Sequence, residues 1–403
     1  MVDASSLSLT VEKPVLFDSK TDGRFQIRQI IPEATQTELA LVQFDESYRA
    51  QAEKKFHHLT FKASDLSAPG ANILKQTCLT LGAEAGVHRG AINCTIDREA
   101  VLITATHAQL EKLILKLRPQ PFGLKPLAES MSRLLQRQRH LQQKPLDVMA
   151  ILNITPDSFS DGGKYASTDA VIQAAALAIE AGADILDVGG ESTRPGAVEV
   201  SEEEELNRVI PVIKALHQAF PNTRISIDTR KASVAEAVLN AGAAIVNDVS
   251  GLTFDPNMLP LIASTQCPVV IMHSQSHPQY DDVVGEVAAF FYRQVGFAVD
   301  QGVQPENIIL DPGFGFGKNL SHNLELMRRL PELVSIGFPL LVGTSRKSFL
   351  TLGNSEIPVD QREALTAASV AIAVQAGAQI IRVHDIATQM PVIRWMQSLL
   401  KNH

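Results

Sequence analysis

The chain has 403 residues, of which 45% are hydrophobic and 20% charged, ordinary proportions for a globular protein with a sizeable core, which excludes a disordered or fibrous chain. No run approaches the roughly 18 uncharged apolar residues of a membrane helix, and the start Met1-Val2-Asp3-Ala4-Ser5 lacks the basic segment and apolar run of a secretory signal. The charge is uneven: residues 1–146 carry 19 Lys and Arg against 15 Asp and Glu, and residues 147–403 carry 17 against 29, so the acidic larger part argues against a general nucleic-acid binder.

The first 25 or so residues have weak pattern. Phe56–Ala63 reads as a strand and Ala71–Leu81 as a helix. Ile92–Ile96 and Val101–Thr106 read as two strands joined by Asp97-Arg98-Glu99, and Gln109–Leu117 and Leu124–Gln143 as helices. A small α+β domain over about residues 50–120 with a polar helical connector follows, giving an N-terminal extension over 1–146 and a second domain over 147–403.

From Asp147 onward, short apolar runs alternate with helical stretches, the pattern of a parallel sheet with crossover helices. Eight strands are predicted: Asp147–Asn153, Ile185–Gly190, Ile225–Arg230, Ala244–Gly251, Pro268–Ser274, Ile308–Gly315, Leu340–Lys347 and Ile380–Ile386. They are apolar on both faces, as strands covered by helices are. The helices between them include Asp169–Ala181, Glu202–Ala219, Ala232–Ala241 and Arg362–Ala376. Three end on Ala-Gly-Ala, at Gly182, Gly242 and Gly377, and glycine just past the last turn is the usual helix stop. Eight β/α units in this length fit an α/β fold of the (β/α)8 TIM-barrel type, with a doubly wound open sheet as the alternative.

In such a barrel the site lies at the C-terminal ends of the strands. Each predicted strand there runs into polar residues: Asn153, Gly190-Glu191, Asp228, Asn247-Asp248, His273, Asp311, Ser345-Arg346-Lys347 and Arg382-Val383-His384. One such Asp is readily a helix cap. Eight in register would be costly to bury without a ligand. Asp228, Asn247 and Asp311 offer acceptors for adjacent N–H donors of a heterocycle such as a pterin or guanine. Lys347 can reach a ring carbonyl or nitrogen. Arg382 and His384 lie two apart on one strand and point the same way; with Arg194 they suit a phosphate. Asn153 offers a neutral oxygen compatible with a Mg²⁺ that keeps most of its waters.

Other features carry less. Gly313-Phe314-Gly315-Phe316-Gly317-Lys318 fails both the Walker A and the dinucleotide patterns, with Pro312, Asn319 and Lys318 at the wrong positions. Glu202–Glu205 reads as a solvated first turn. His273 and His277 lack further ligands at zinc spacing. Cys78, Cys94 and Cys267 are too few and scattered for a disulfide framework, so a reducing, cytoplasmic location is expected.

The segments Ile151–Gly163, Asp187–Gly196, Ile227-Asp228-Thr229, Asn247-Asp248-Val249, Asp311–Lys318, Gly343–Phe349 and Arg382–Asp385 together resemble the dihydropteroate synthase family, in order across residues 147–403. The resemblance implies a transferase of folate biosynthesis, the target of sulfonamides. It would join 6-hydroxymethyl-7,8-dihydropterin diphosphate to p-aminobenzoate, releasing pyrophosphate by a dissociative substitution. It implies that Asp228, Asn247, Asp311 and Lys347 hold the pterin. Asn153, Thr193, Arg382 and His384, with Mg²⁺ on Asn153, would hold the diphosphate. Phe159, Thr193, Arg194, Pro195 and Ser348 would shape the p-aminobenzoate pocket, and Asn153, Arg194, Lys347, Arg382 and His384 would be the catalytic set. A homodimer is expected by the same resemblance. Two departures are Val383, where Thr is common, and Ser274-Gln275-Ser276 after His273, where Met-Gln-Gly is usual. A pterin-dependent methyltransferase and a non-catalytic pterin-binding protein are the alternatives. The extension resembles that of some longer bacterial relatives.

Overall fold

The computed structural model describes residues 28–154, 168–191, 200–354 and 357–400. The chain divides into two compact units, Met1–Ser132 and Arg133–His403.

The first unit opens with helices α1 (Thr35–Leu41) and α2 (Glu46–Phe56), then β1 (His58–Ser67), α3 (Ala68–Thr80), β2 (Glu84–Gly86), β3 (Arg98–Thr106), α4 (His107–Leu117) and the start of α5 (Leu124–Leu141). Its antiparallel sheet has the order β1-β3-β2. Thr106 and Gln109 form a reciprocal capping box that turns β3 into α4, satisfying two otherwise unpaired N–H groups. Leu110, Leu113 and Leu117 of α4 are fully buried, as their spacing on one helix face requires.

Two expectations fail here. Phe56 closes α2, which Asp45 starts by accepting from Ser47 N, so the strand begins later than expected. Ile92–Ile96 is a set of turns closed by Ala91 N to His88 O and Thr95 N to Gly90 O, with Cys94 at φ +51°. Local turn bonds override the β-branched residues there, and Glu84–Gly86 supplies the third strand instead.

The second unit contains β4 (Asp147–Asn153), α6 (Thr168–Ala181), β5 (Ile185–Gly189), α7 (Glu202–Ala219), β6 (Arg224–Asp228), α8 (Ala232–Asn240), β7 (Ile245–Asp248) and α9 (Met258–Thr265). It continues with β8 (Val269–Met272), α10 (Val283–Asp300), β9 (Ile308–Asp311), α11 (Leu320–Arg328), α12 (Leu330–Val334), β10 (Leu341–Val342), α13 (Glu363–Gln375), β11 (Ile380–Val383) and α14 (Ile386–Leu400). The sheet order is β10-β11-β4-β5-β6-β7-β8-β9, all parallel. A parallel bridge between Leu310 and Leu340 joins the last strand to the first, so the ring is a closed (β/α)8 barrel. The predicted helix stops Gly182, Gly242 and Gly377 all have positive φ.

Strand parity sorts the side chains. Val148, Ala150, Val188, Ile225, Ile227 and Val246 belong to the large apolar cluster that the helices cover. Met149, Ile185, Ile245, Val270, Ile309, Leu341 and Ile380 form a separate apolar layer, the inward residues of their strands. Two residues further along each strand, toward its C-terminal end, the inward positions become Asp187, Asn247, Met272, Asp311 and Arg382. The strands are shorter at this end than the sequence suggests, because the polar residues leave the sheet for loops.

The boundary between the units falls inside α5, ahead of the change of charge at residue 146. Its last turns belong to the barrel unit. Arg137 Nη2 donates to Ile336 O at 3.2 Å and Gln138 Nε2 to Ser335 O at 2.6 Å, and the Arg137 guanidinium lies 5.2 Å over the Phe338 ring. Leu135 and Leu141 on the same stretch are buried.

Candidate active site

Register places the rim residues side by side. Asn153 pairs with Gly189, Gly189 with Asp228 and Asp228 with Asn247. Asp311 closes β9 opposite Met272. Asp228, Asn247 and Asp311 are all buried, each under a tenth exposed. Three such polar groups around one barrel mouth are the buried set that demands partners.

Their partners come partly from a residue that sequence reasoning used only as part of a motif. Asp187, fully buried on β5, accepts from Asn247 Nδ2 at 3.1 Å and from Arg382 Nε at 2.7 Å. Arg382 Nη2 donates to Asp228 Oδ2 at 3.0 Å. Arg382 therefore bridges two carboxylates of the interior. Burial pulls its pKa down, yet Asp187 and Asp228 outweigh that and hold it above its ordinary value. Asp187 Oδ1, Asp228 Oδ1 and Ser226 Oγ are buried without a hydrogen-bond partner among the described residues. The inward position of an acid two residues before Gly189 is the signal that could have found Asp187.

Burial also sets the titration of the layer. It raises Asp228 to about 7, with Arg382 opposing and Asp187 adding to the rise. It raises Asp311 likewise, against Lys347 and the Gly313 N–H. It lowers Lys347 to about 8, against Asp311. Three acids and their cations thus share a water-poor space in which small changes of charge matter.

Lys347 rests on the loop after β9. Its Nζ donates to Phe314 O and lies 4.7 Å over the Phe316 ring. Asp311 Oδ1 accepts from Gly313 N at 2.7 Å, which leaves its side chain held by the same loop. Gly313 and Gly317 have φ of +65° and +60°, and a Cβ on either would stand 2.0 Å from His273 O or 1.9 Å from Gln275 O. Only glycine fits such a backbone and such an approach.

His384 lies one step beyond Arg382's neighbour Val383. Its Nδ1 is 2.9 Å from Ser345 Oγ, and the same hydroxyl takes its backbone N–H at 3.2 Å. Val383 points outward into the helix-covered core, so its departure from Thr does not reach the site. Ser348 is exposed at the start of a short helical turn after Lys347. Phe159, Thr193, Arg194 and Pro195 lie outside the described residues.

The reading of Glu202–Glu205 as a solvated turn holds for three of the four. Glu205 is buried, at 1% exposure. It accepts from Thr229 Oγ1 at 2.7 Å and from Lys231 Nζ at 2.6 Å. Lys231 also reaches Glu191 Oε2 and Val200 O, each at 2.7 Å. A helical spacing argument cannot see a cation on the neighbouring strand's loop, which is why this network was missed.

Lys318 Nζ lies 3.0 Å from His273 Nδ1, and a cation at that nitrogen competes with any metal; His277 is exposed. Among the described residues no group of three or more His, Cys, Asp or Glu is arranged to hold a metal ion. A Mg²⁺ of the kind the sequence suggests needs no such group. One neutral oxygen from Asn153, with the rest supplied by diphosphate and water, is a normal donor set, and Asn153 stands at the rim with its Oδ1 3.5 Å from the Cβ position that Gly189 leaves open.

Residues 149–384 match the family model of pterin binding enzymes. The dihydropteroate synthase of Synechocystis is 47% identical over 259 residues, covering 62% of this chain and 89% of the relative. A Clostridium difficile dihydropteroate synthase, solved in the presence of pteroic acid, superposes with a TM-score of 0.62 at 44% identity and covers 64% of this chain and 98% of its own. The enzyme of Xanthomonas albilineans in complex with 7,8-dihydropteroate superposes with a TM-score of 0.60 at 39% identity, over 65% of this chain and 95% of its own. With the family model matched over residues 149–384 and most of each relative's length covered, the chain belongs to the pterin-binding enzyme family, among the dihydropteroate synthases.

Proposed function

We infer that this protein joins 6-hydroxymethyl-7,8-dihydropterin diphosphate to p-aminobenzoate, giving 7,8-dihydropteroate and pyrophosphate, as a transferase of folate biosynthesis. The observation that carries the reading is the buried acceptor layer at the barrel mouth. Asp228, Asn247 and Asp311 share it, and Asp228 Oδ1 has no hydrogen-bond partner among the described residues. A pterin edge supplies adjacent N–H donors to such acceptors, and Lys347 supplies a cation for a ring acceptor. A methyltransferase of the same family would share this layer but would have no use for the diphosphate anchors Arg382 and His384, and the relatives matched over most of their length are synthases.

The chemistry follows from the charges. The bond between the pterin's exocyclic methylene carbon and the diphosphate oxygen breaks, and the electron pair leaves with the diphosphate. The cation left on the pterin sits over Asp228 and Asp311, whose carboxylates stabilise it. The amine nitrogen of p-aminobenzoate then bonds to that carbon and passes its extra proton to solvent water. Fixed charges of this kind act without reorganising, and more strongly in a buried site than in water. We assign the departing diphosphate to His384, Thr193 and the guanidinium of Arg382. Arg382's bonds to Asp187 and Asp228 support a second duty, fixing the height of the pterin acceptors. Asn153 would hold a Mg²⁺, which when bound neutralises diphosphate charge. Phe159, Thr193, Arg194, Pro195 and Ser348 are assigned to the p-aminobenzoate side. A cytoplasmic location and a homodimer complete the proposal; no helix among the described residues is long and apolar enough to cross a membrane. Incubating the full chain with both substrates and identifying the product by mass tests the reaction: 7,8-dihydropteroate is the expected product, and its absence rejects the assignment.

A further inference from the structure

The stretch that follows β9 ends in a buried lysine that no pterin contact uses. Lys318 is 8% exposed. Its Nζ lies 2.9 Å from Gly313 O, 2.9 Å from Phe316 O, 3.2 Å from His273 O and 3.0 Å from His273 Nδ1, four acceptors that its three N–H donors share. Burial and the neighbouring Lys318 push His273 down to about 3, so its ring is neutral and Nδ1 accepts, with the proton on Nε2. Backbone carbonyls and one imidazole thus surround the ammonium much as they would surround a bound monovalent cation.

What this cage organises is the support of the pterin residues. Gly313, Gly315 and Gly317 all have positive φ, so the loop's own sequence leaves it many conformations. The Lys318 ammonium fixes the peptide units at 313 and 316. Between them, Phe314 O and the Phe316 ring form the seat of the Lys347 ammonium. The Gly313 N–H, whose peptide neighbour is one of the fixed units, holds Asp311 Oδ1. On the other side, Tyr280 Oη donates to Gly317 O at 3.0 Å and Asn323 Oδ1 accepts from Gly315 N at 2.7 Å. These polar contacts leave Lys318 at the centre of the loop, where burial pushes its pKa down to about 7 against the pull of Asp311.

We propose that Lys318 is a positioning residue for pterin binding: caged by Gly313 O, Phe316 O and His273, it sets the loop on which Lys347 and Asp311 rest. The proposal rests on the synthase reading. It specifies a compact ammonium, because three rotatable donors suit this cage and a planar guanidinium does not.

The test uses the full chain with Lys318→Met and Lys318→Ala. Affinity for 6-hydroxymethyl-7,8-dihydropterin is measured by calorimetry, and the KM for p-aminobenzoate at saturating pterin diphosphate. Leaving buried carbonyls unpaired and the loop unset is expected to weaken pterin binding by roughly tenfold or more. The KM for p-aminobenzoate is expected to move by less than about twofold, because that amine contacts neither Lys347 nor Asp311 in this reading. Should Lys318→Met fail to fold, Lys318→Ala with propylammonium, which replaces the missing atoms, is expected to regain pterin affinity, while tetramethylammonium is not. Pterin affinity equal to that of the unsubstituted chain overturns the proposal. A loss shared equally by both substrates and untouched by propylammonium also overturns it, since that is the mark of a merely structural lysine. An unsubstituted chain that binds pterin yet makes no dihydropteroate rejects the synthase reading but leaves the Lys318 comparison decisive; one that binds no pterin rejects both.

Discussion

Arg382 Nε and Asp187 Oδ2 meet at 2.7 Å inside the barrel, on two strands that β4 separates. The pair is buried, with side-chain exposures of 19% and 0%, and the same guanidinium continues to Asp228. A charged group this deep is tolerable only while its partners stay in place. Asp187→Ala removes one partner and leaves Arg382 over a cavity. Breaking a buried pair in this way costs about 3–5 kcal/mol. Urea unfolding of the variant should show a loss of that order together with weakened pterin binding. An unchanged midpoint would mean that Asp228 alone suffices to hold Arg382.

The Asp228 carboxyl gives a pH dependence with a definite sign. Burial raises its pKa from 3.8 to about 7. Between those values the native state keeps a proton that the unfolded chain has released, so this group makes the fold lose stability as pH rises through that window. Pterin affinity moves the other way: the acceptor is the carboxylate, so binding should strengthen as pH rises through about 7. Calorimetry between pH 6 and 8 with Asp228→Asn as the control checks this, at buffer values chosen around that midpoint. A slope that survives in the Asn variant would place the titration on another group.

Lys231 joins Glu205, Glu191 and Val200 O in one buried knot behind the β5 and β6 ends. Lys231→Met would leave Glu205, 1% exposed, with the Thr229 hydroxyl but no cation, while Glu191 keeps Arg230 Nη2 at 3.1 Å. The expected loss is again about 3–5 kcal/mol, read as a lower urea midpoint. The double variant Lys231→Met, Glu205→Gln should recover part of it. If the single variant is as stable as the unsubstituted chain, the knot contributes no net stability.

Helix α5 supplies the barrel unit with Arg137 and Gln138. A fragment that begins at Gln143 loses both hydrogen bonds to the 335–336 carbonyls and uncovers Phe338. It should melt several degrees below a fragment that begins at Arg133, since the lost bonds and contact are each worth about 1 kcal/mol. Equal melting temperatures would show that the last turns of α5 are dispensable to the barrel.

The barrel was legible because its strands are apolar on both faces and its helices stop at glycine: β4 and α7 lie where the sequence places them. The shorter strands were overextended, as at Leu340–Lys347, because polar rim residues follow apolar runs without any break that periodicity registers. The rim residues themselves were legible by position, and Asp228, Asn247, Asp311 and Lys347 do come together. What could not be read was pairing across the barrel. Arg382 turning inward to Asp187, Lys318 turning back to His273 and Lys231 reaching Glu205 all join residues remote in sequence, and single-chain patterns record spacing along an element, not partners across it. In the first unit the Ile92–Ile96 misreading has the opposite cause, since there local turn bonds prevailed over side-chain preference.

The most direct measurement is steady-state pyrophosphate release by the full chain, compared with Asp311→Asn. Asp311→Asn keeps the shape but turns an acceptor oxygen into a donor nitrogen facing a pterin N–H. Pyrophosphate release from the pterin diphosphate, with 7,8-dihydropteroate formed when p-aminobenzoate is present, is expected from the unsubstituted chain. For the variant, a fall in kcat/KM for the pterin substrate of roughly tenfold or more is expected, with the fold intact. Pyrophosphate release with no dihydropteroate formed in the presence of p-aminobenzoate, or an Asp311→Asn enzyme with unaltered kcat/KM, would contradict a synthase site built on this barrel rim.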